Sequence, residues 1–159
     1  MFIVRSGFIG DFALGDNINY NLEILALLYG FFEGADHHRK RLLCKPIILT
    51  LVSIIEAVLY DLHQRVKTFT WEGVRNVAAD AVAHIQLSKI DKLDKYIASA
   101  RRHDFFDLAD TNFYERLDEL RRLRNRWHIQ NEKNDPPPKE YNAFTDERKT
   151  QGRECLKRR

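Results

Sequence analysis

The chain of 159 residues has few of the residues that interrupt or cross-link a backbone: two cysteines, four prolines and seven glycines. So few prolines and glycines argue against a loop-rich or all-β fold, which needs frequent turns. Two cysteines cannot form the disulfide framework of a small secreted protein, and Cys44 and Cys155 lack the spacing of metal ligands. These absences predict an all-α domain in a reducing, cytoplasmic setting.

Signals for secretion and for membrane insertion are also lacking. The N-terminal segment carries Arg5 and Asp11 and has no long apolar core followed by a cleavage pattern, so we expect no secretory signal. The strongest apolar run, residues 46–62, is interrupted by Glu56 and is shorter than the roughly 20 residues of a membrane span. We therefore expect a buried core helix there and no contact with a membrane.

The sequence contains no motif for nucleotide or zinc chemistry, since it has no phosphate-binding glycine loop, G-x-S-x-G or HExxH. His37 and His38 lie in a polar connector without the carboxylates or cysteines of a metal site, and we expect both to be solvated. His63 is interpreted as a surface polar residue, and His84 and His103 as helix-end residues. We therefore predict no metal and no cofactor.

Apolar residues at helical spacing, separated by capping residues, predict an up-and-down bundle of about five helices. Pro46 fits the first turn of a helix, where its missing N–H would be unsatisfied anyway, and Ser88 with Asp91 resembles a capping box. A short helix from Thr145 to Leu156 is expected to pack back on the bundle. The five expected helices are Asn17 or Asn19 to Phe32, Pro46 to Val66, Thr70 to Ile85, Ser88 to Arg102, and Asp110 or Thr111 to Gln130.

Residues 1–159 are interpreted as one domain, with an N-terminal arm at 1–16 and a C-terminal extension at 134–159, which begins with the helix-breaking run NDPPP. Charge is distributed unevenly along this domain. Residues 121–159 hold twelve lysines and arginines against six acidic residues, whereas residues 1–120 hold fourteen against seventeen. A basic end on a slightly acidic body indicates either a solvated tail or contact with an anion such as RNA.

The fifth predicted helix carries the most informative residues, FYERLDELRRLRNRWHIQN at 113–131. At 100° per residue, Arg121, Arg124 and His128 lie within about 60° on one side of it, and Arg122 is turned about 120° away from His128. The residues at helical spacing that should face the body are Phe113, Leu117, Leu120, Arg124 and Trp127.

Two interpretations fit this basic face. In the structural one, Arg121 and Arg124 pair with carboxylates, while His128 interacts favourably with the C-terminal end of the helix dipole. In the functional one, the arginines bind a phosphate and the histidine is a titratable group beside it. Those groups suffice for metal-free RNA cleavage, in which a general base activates the ribose 2′-OH.

The segment LDELRRLRNRWHIQN at 117–131 resembles the signature helix of the HEPN superfamily, small α-helical bundles of prokaryotic defence and toxin–antitoxin systems. That signature is an arginine, four to six residues, then a histidine, with a polar residue following an arginine. The segment LVSIIEAVLYDLHQRV at 51–66 also resembles the central helix of the family, with Glu56 as its acidic residue. The resemblance covers most of residues 45–132 in pattern.

The resemblance implies a metal-independent endoribonuclease that acts as a homodimer, with RNA and possibly a cognate antitoxin as partners. It implies that His128 is the acid/base, but leaves its arginine open. Arg124 precedes Asn125, as the family pattern favours, whereas Arg121 and Arg122 have the family's spacing to the histidine. Helix geometry favours Arg121 and Arg124.

The resemblance also implies that Asn125 orients a phosphate or the histidine, and that Glu56 positions an arginine. Two alternatives stay open at this point. One is a catalytically inactive helical module of the same type that binds RNA or a protein partner. The other is a helical interaction domain that has no role with nucleic acid.

Overall fold

The computed structural model describes residues 12–68, 77–106, 112–125 and 140–157, with the backbone alone at Phe12, Glu140 and Tyr141. Within these ranges every regular element is a helix, which confirms the predicted all-α bundle. The elements in chain order are α1 (Phe12–Glu33), α2 (His37–Thr68), α3 (Ala79–Leu87), α4 (Leu93–Arg102), α5 (Phe113–Asn125), α6 (Glu140–Ala143) and α7 (Asp146–Lys157).

The helix α2 is the centre of the fold, as its apolar sequence predicts. One of its sides packs against α1, and the neighbouring side packs against α4, α5 and α7. The residues that join α1 to α2 are Ile18, Leu22, Leu25, Ile47, Leu51 and Ile54. By length and composition α2 is also long and apolar enough to cross a bilayer, but half of its most apolar stretch is buried inside the bundle. A central core helix meets the same criterion.

The prediction that α2 begins at Pro46 was wrong, because the helix starts nine residues earlier, at His37. The side chain of Asp36 accepts a hydrogen bond from the backbone N–H of Arg39 at 2.9 Å, which caps this earlier start. Pro46 therefore lies inside the helix, where its lack of an N–H costs about 3 kcal/mol in an isolated helix. Burial of Cys44 and Ile47 on either side offsets that cost.

Three other predicted helix starts also differ from the structure. The helix expected from Thr70 to Ile85 begins at Ala79, because the backbone of Ala78 is extended. The first helix begins at Phe12, so Asn17 is an interior residue whose carbonyl accepts a bond from the Asn21 side chain. The capping box at Ser88 and Asp91 does not form. Helix α4 begins at Leu93, and the residue before it, Lys92, makes no side-chain cap hydrogen bond. The Asp91 carboxylate instead pairs with two lysines, at 2.8 Å from Lys95 and 3.6 Å from Lys89.

The C-terminal helix α7 packs back on the bundle, as predicted. Its Gly152 lies so close to α2 and α5 that an added Cβ would be 3.1 Å from Leu51 and 3.7 Å from Leu120. Lys149 reaches the edge of α1, where its ammonium lies over the ring of Phe32. The bundle therefore closes around α2, and this closure fixes the position of α5.

Several predicted features lie outside the described residues. They are the part of the N-terminal arm at 1–11, the cap at Thr70, the helix start at Asp110 or Thr111, Trp127, His128 and the NDPPP run at 134–138.

Candidate functional site

The candidate site lies where the last turn of α5 meets the middle of α2. Leu117, Leu120 and Leu123 are buried against the bundle, and this packing holds the basic end of α5 beside α2. Arg124, one turn after Leu120, extends across the junction, and its Nη2 lies 2.8 Å from Oε2 of Glu56. The structure therefore brings together two of the residues singled out from the sequence, although they are 68 positions apart in the chain.

This ion pair is only partly buried, with 41% of the Arg124 side chain and 26% of the Glu56 side chain exposed. Partly exposed pairs add about 0–1 kcal/mol to stability, because water screens their attraction. The guanidinium also has five N–H donors, more than one carboxylate oxygen takes. The contact thus orients Arg124 at the surface and leaves it capable of binding an anion.

Arg121, the other candidate arginine, is held differently. Its Nε lies 2.7 Å from Oδ1 of Asp118 on the same helix, and Arg122 lies 2.8 Å from the other oxygen of that carboxylate. Partial burial opposes ionisation of Asp118, but the hydrogen bonds and charges of Arg121 and Arg122 outweigh it and lower the pKa of the carboxyl group. The structure therefore links Glu56 to Arg124 and keeps Arg121 on its own helix.

The remaining two sequence candidates lie at and beyond the end of α5. Asn125 is exposed and is the last described residue of the helix. His128 lies outside the described residues, three positions further along the chain. The expectation that Phe113, Leu117 and Leu120 face the body is confirmed, since all three are buried.

An exposed aromatic residue that was not identified from the sequence also lies at this site. Tyr60 lies one helical turn after Glu56 on the same side of α2, and 40% of its surface is exposed. Its ring packs edge-on against the buried Tyr96, with 6.2 Å between ring centroids. Burial, followed by the charges of Tyr60, Asp91 and Glu56, raises the pKa of Tyr96. The four-residue spacing from Glu56 was the signal that would have identified Tyr60.

His63 is buried, so the expectation that it is a surface polar residue was wrong. It is 3% exposed, and its ring contacts Tyr96 and Phe105 at centroid distances of 5.0 and 5.7 Å. Its Nδ1 donates to the carbonyl of Leu59 at 2.7 Å, which satisfies one nitrogen, while Nε2 has no hydrogen-bond partner. Burial lowers the pKa of His63 and favours the neutral ring.

His37 and His38 are exposed as predicted but lie in the first turn of α2 rather than in a connector, and His84 and His103 match their predicted positions with one addition. His84 and His103 lie at helix ends. The addition is a contact between the last two, with Nε2 of His103 3.1 Å from Nδ1 of His84. Within the described ranges, no three His, Cys, Asp or Glu side chains lie close enough to hold a metal ion.

An exposed apolar stripe runs along α1, on the opposite side of the bundle. Tyr20, Leu27 and Phe31 are each well over half exposed and lie within about 40° of one another around the helix. Glu56 is about 180° around α2 from Ile47, which faces α1. The stripe and the Glu56–Arg124 pair are therefore separate surfaces.

Comparisons of the chain with protein-family models, with curated proteins and with solved structures gave no match.

Proposed function

We propose that the protein is a metal-independent endoribonuclease that acts as a homodimer in the cytoplasm, as part of a bacterial defence or toxin–antitoxin module. The observation that carries the proposal is the 2.8 Å contact of Glu56 with Arg124. Arg124 belongs to the side of the fifth helix on which helical spacing also predicts His128. An oriented arginine and a titratable imidazole are the groups that metal-free RNA cleavage requires.

In the proposed reaction, His128 removes the proton from a ribose 2′-OH, and the resulting oxygen attacks the adjacent phosphorus. The bond from phosphorus to the 5′-oxygen breaks, and His128 of the second copy gives a proton to that leaving oxygen. The products are a 2′,3′-cyclic phosphate and a free 5′-OH. The guanidinium of Arg124 stabilises the extra negative charge of the phosphorane that precedes them.

Each neighbouring side chain has a place in this scheme. Glu56 is a positioning residue, because it holds the guanidinium of Arg124. Asn125, exposed at the end of α5, orients the phosphate or the imidazole. Tyr60 offers an exposed ring on which a base stacks, a contact worth about 1–3 kcal/mol per base. Arg121 has a supporting role, since Asp118 already engages its Nε.

The experiment is RNA cleavage in excess EDTA under single-turnover conditions by the wild type and by His128→Ala, Arg124→Ala and Arg122→Ala. We expect loss of a general acid/base to slow cleavage about 10²- to 10⁴-fold, and loss of Arg124 to slow it about 10²- to 10³-fold. Arg122→Ala is the matched control, because it removes an exposed arginine of the same helix that also pairs with a carboxylate. Wild-type rates in His128→Ala would refute the mechanism.

A second function is favoured by one specific observation. Arg121 and Arg124 are both already paired with carboxylates, as the structural interpretation of the basic helix expects. A catalytically inactive module that binds RNA or a protein through this face is therefore the alternative. RNA binding that weakens with salt, without any cleavage by the purified dimer, would favour it over the nuclease.

A further inference from the structure

Two imidazole rings meet at the ends of α3 and α4, away from the Glu56–Arg124 pair. His84 belongs to the last turn of α3, and His103 is the residue that caps α4. Nε2 of His103 lies 3.1 Å from Nδ1 of His84, and the ring centroids are 5.0 Å apart. Two lone pairs repel each other at this distance, and so do two N–H groups. Two arrangements fit the distance: an N–H···N hydrogen bond between the rings, or two lone pairs directed at one metal cation.

We propose that His84 Nδ1 and His103 Nε2 are ligands of one divalent transition-metal ion, of the class to which Zn²⁺ belongs. Zinc binds histidine nitrogen at about 2.0–2.1 Å, so two nitrogens on one ion lie about 3.0–3.4 Å apart at the usual ligand angles. The observed 3.1 Å falls within that interval. The two nitrogens are thus spaced as a ligand pair without movement of either helix.

Asp80 is the carboxylate that we assign to the ligand set. Asp80 is one helical turn before His84, which places both on the same side of α3. The negative charge of Asp80 also acts on the His103 ring. Within the described ranges, no three His, Cys, Asp or Glu side chains converge. The site therefore requires the exposed side chain of Asp80 to rotate toward His84 and His103. Two histidines, one aspartate and a water make a four-coordinate site.

A metal ion binds the neutral imidazole, and the neighbouring carboxylate of Asp80 attracts a cation. The charged residue that opposes a cation here is Arg102, at the end of α4. Bound metal would add a cross-link between the end of α3 and the end of α4, where the two rings already meet.

The test is isothermal titration of ZnCl₂ into the full chain, purified without a histidine tag, at pH 7.5. We expect one ion per chain, an affinity at least about tenfold lower in His84→Asn and in His103→Asn, and no binding in the double variant. Asp80→Asn should weaken binding more mildly. The matched control is His37→Asn with His38→Asn, which removes an exposed histidine pair from the start of α2 and should leave the affinity unchanged.

Far-UV circular dichroism of each metal-free variant establishes that it is folded, and thermal unfolding gives a second measurement. Zinc should raise the unfolding midpoint of the wild type and of the His37/His38 variant, but not that of the His84/His103 double variant. Equal zinc affinity in the wild type and in the folded double variant, or no binding by the wild type, would overturn the proposal. Cleavage of RNA in EDTA is a separate readout, so the two proposals can fail independently.

Discussion

Oε2 of Glu56, in the middle of α2, lies 2.8 Å from Nη2 of Arg124, in the last turn of α5. The buried leucines of α5 hold the two helices together, and the ion pair lies at the edge of that packing. Because the pair is partly exposed, it contributes little to folding, and its main consequence is the orientation of one guanidinium. Removal of the ion pair should therefore change the free energy of unfolding little and the rate of RNA cleavage more.

Glu56→Gln should separate these two effects. Loss of the carboxylate charge should lower the free energy of unfolding by no more than about 1 kcal/mol, since the pair is partly exposed. The rate of RNA cleavage should fall by a larger factor than a change of about 1 kcal/mol would produce, because Arg124 loses the group that orients it. Urea unfolding and single-turnover cleavage measure the two quantities.

The control for this variant is Glu115→Gln. Glu115 makes an ion pair of the same 2.8 Å length with Arg101, between α4 and α5. Equal losses of cleavage in both variants would show that the Glu56 pair has no special role.

Acid should destabilise the fold, because burial lowers the pKa of His63 and of His103. The unfolded chain binds protons at these residues near the ordinary histidine pKa of about 6.5, whereas the folded chain binds them only at lower pH. The free energy of unfolding therefore falls as the pH drops below about 6.5. Urea unfolding of the metal-free protein at pH 7.5 and at 5.5 measures the difference.

Removing the exposed histidines with His37→Asn and His38→Asn should leave this pH dependence intact. Replacing the buried ring with His63→Gln should reduce it, even if the variant is less stable at both pH values. An unchanged pH dependence in His63→Gln would contradict the assignment of acid destabilisation to the buried ring of His63.

Two glycines in helices should respond in opposite ways to a larger side chain. Gly152→Val should lower the free energy of unfolding by about 1–3 kcal/mol, because an added Cβ alone would lie 3.1 Å from Leu51 and valine carries two methyl groups beyond it. Gly30→Ala should raise it by about 0.5–1 kcal/mol, because nothing lies within 4 Å and alanine favours the helix. Thermal or urea unfolding checks both, and a stable Gly152→Val would contradict the packing of α7.

A charged substitution in the apolar stripe on α1 tests whether the dimer forms through that stripe. The proposed nuclease brings two Arg124 side chains together, so its dimer interface lies on the side of α2 opposite to Leu27. Leu27→Lys should therefore leave the sedimentation mass and the cleavage rate unchanged. If this variant becomes monomeric while the wild type is a dimer, the two Arg124 sites lie on opposite outer surfaces and the proposed dimer is wrong.

The sequence was most informative where the relevant contacts are local. Helical spacing alone identified the buried side of α5 at Leu117 and Leu120, and the apolar character of α2 predicted its central place. Both predictions use only the spacing of apolar residues within one helix, which is enough to identify the face that is buried. The exposed positions of His37 and His38 followed from a polar stretch in the same way.

Features that depend on packing between distant residues could not be predicted in this way. The pairing of Glu56 with Arg124 rather than Arg121 depends on how α5 lies across α2. The burial of His63 depends on Tyr96 and Phe105, which belong to other parts of the chain. The continuation of α2 through Pro46 depends on buried neighbours that offset the missing hydrogen bond.

The most direct test of the proposed function is the chemistry of the cleaved ends. RNA is incubated with the wild-type protein in excess EDTA, alongside the same RNA with a single 2′-deoxy nucleotide at the cut position. The proposal predicts cleavage of the first RNA alone, with a 2′,3′-cyclic phosphate on one product and a 5′-OH on the other. Cleavage of the deoxy-substituted RNA at the same bond, or no cleavage of either RNA, would contradict it.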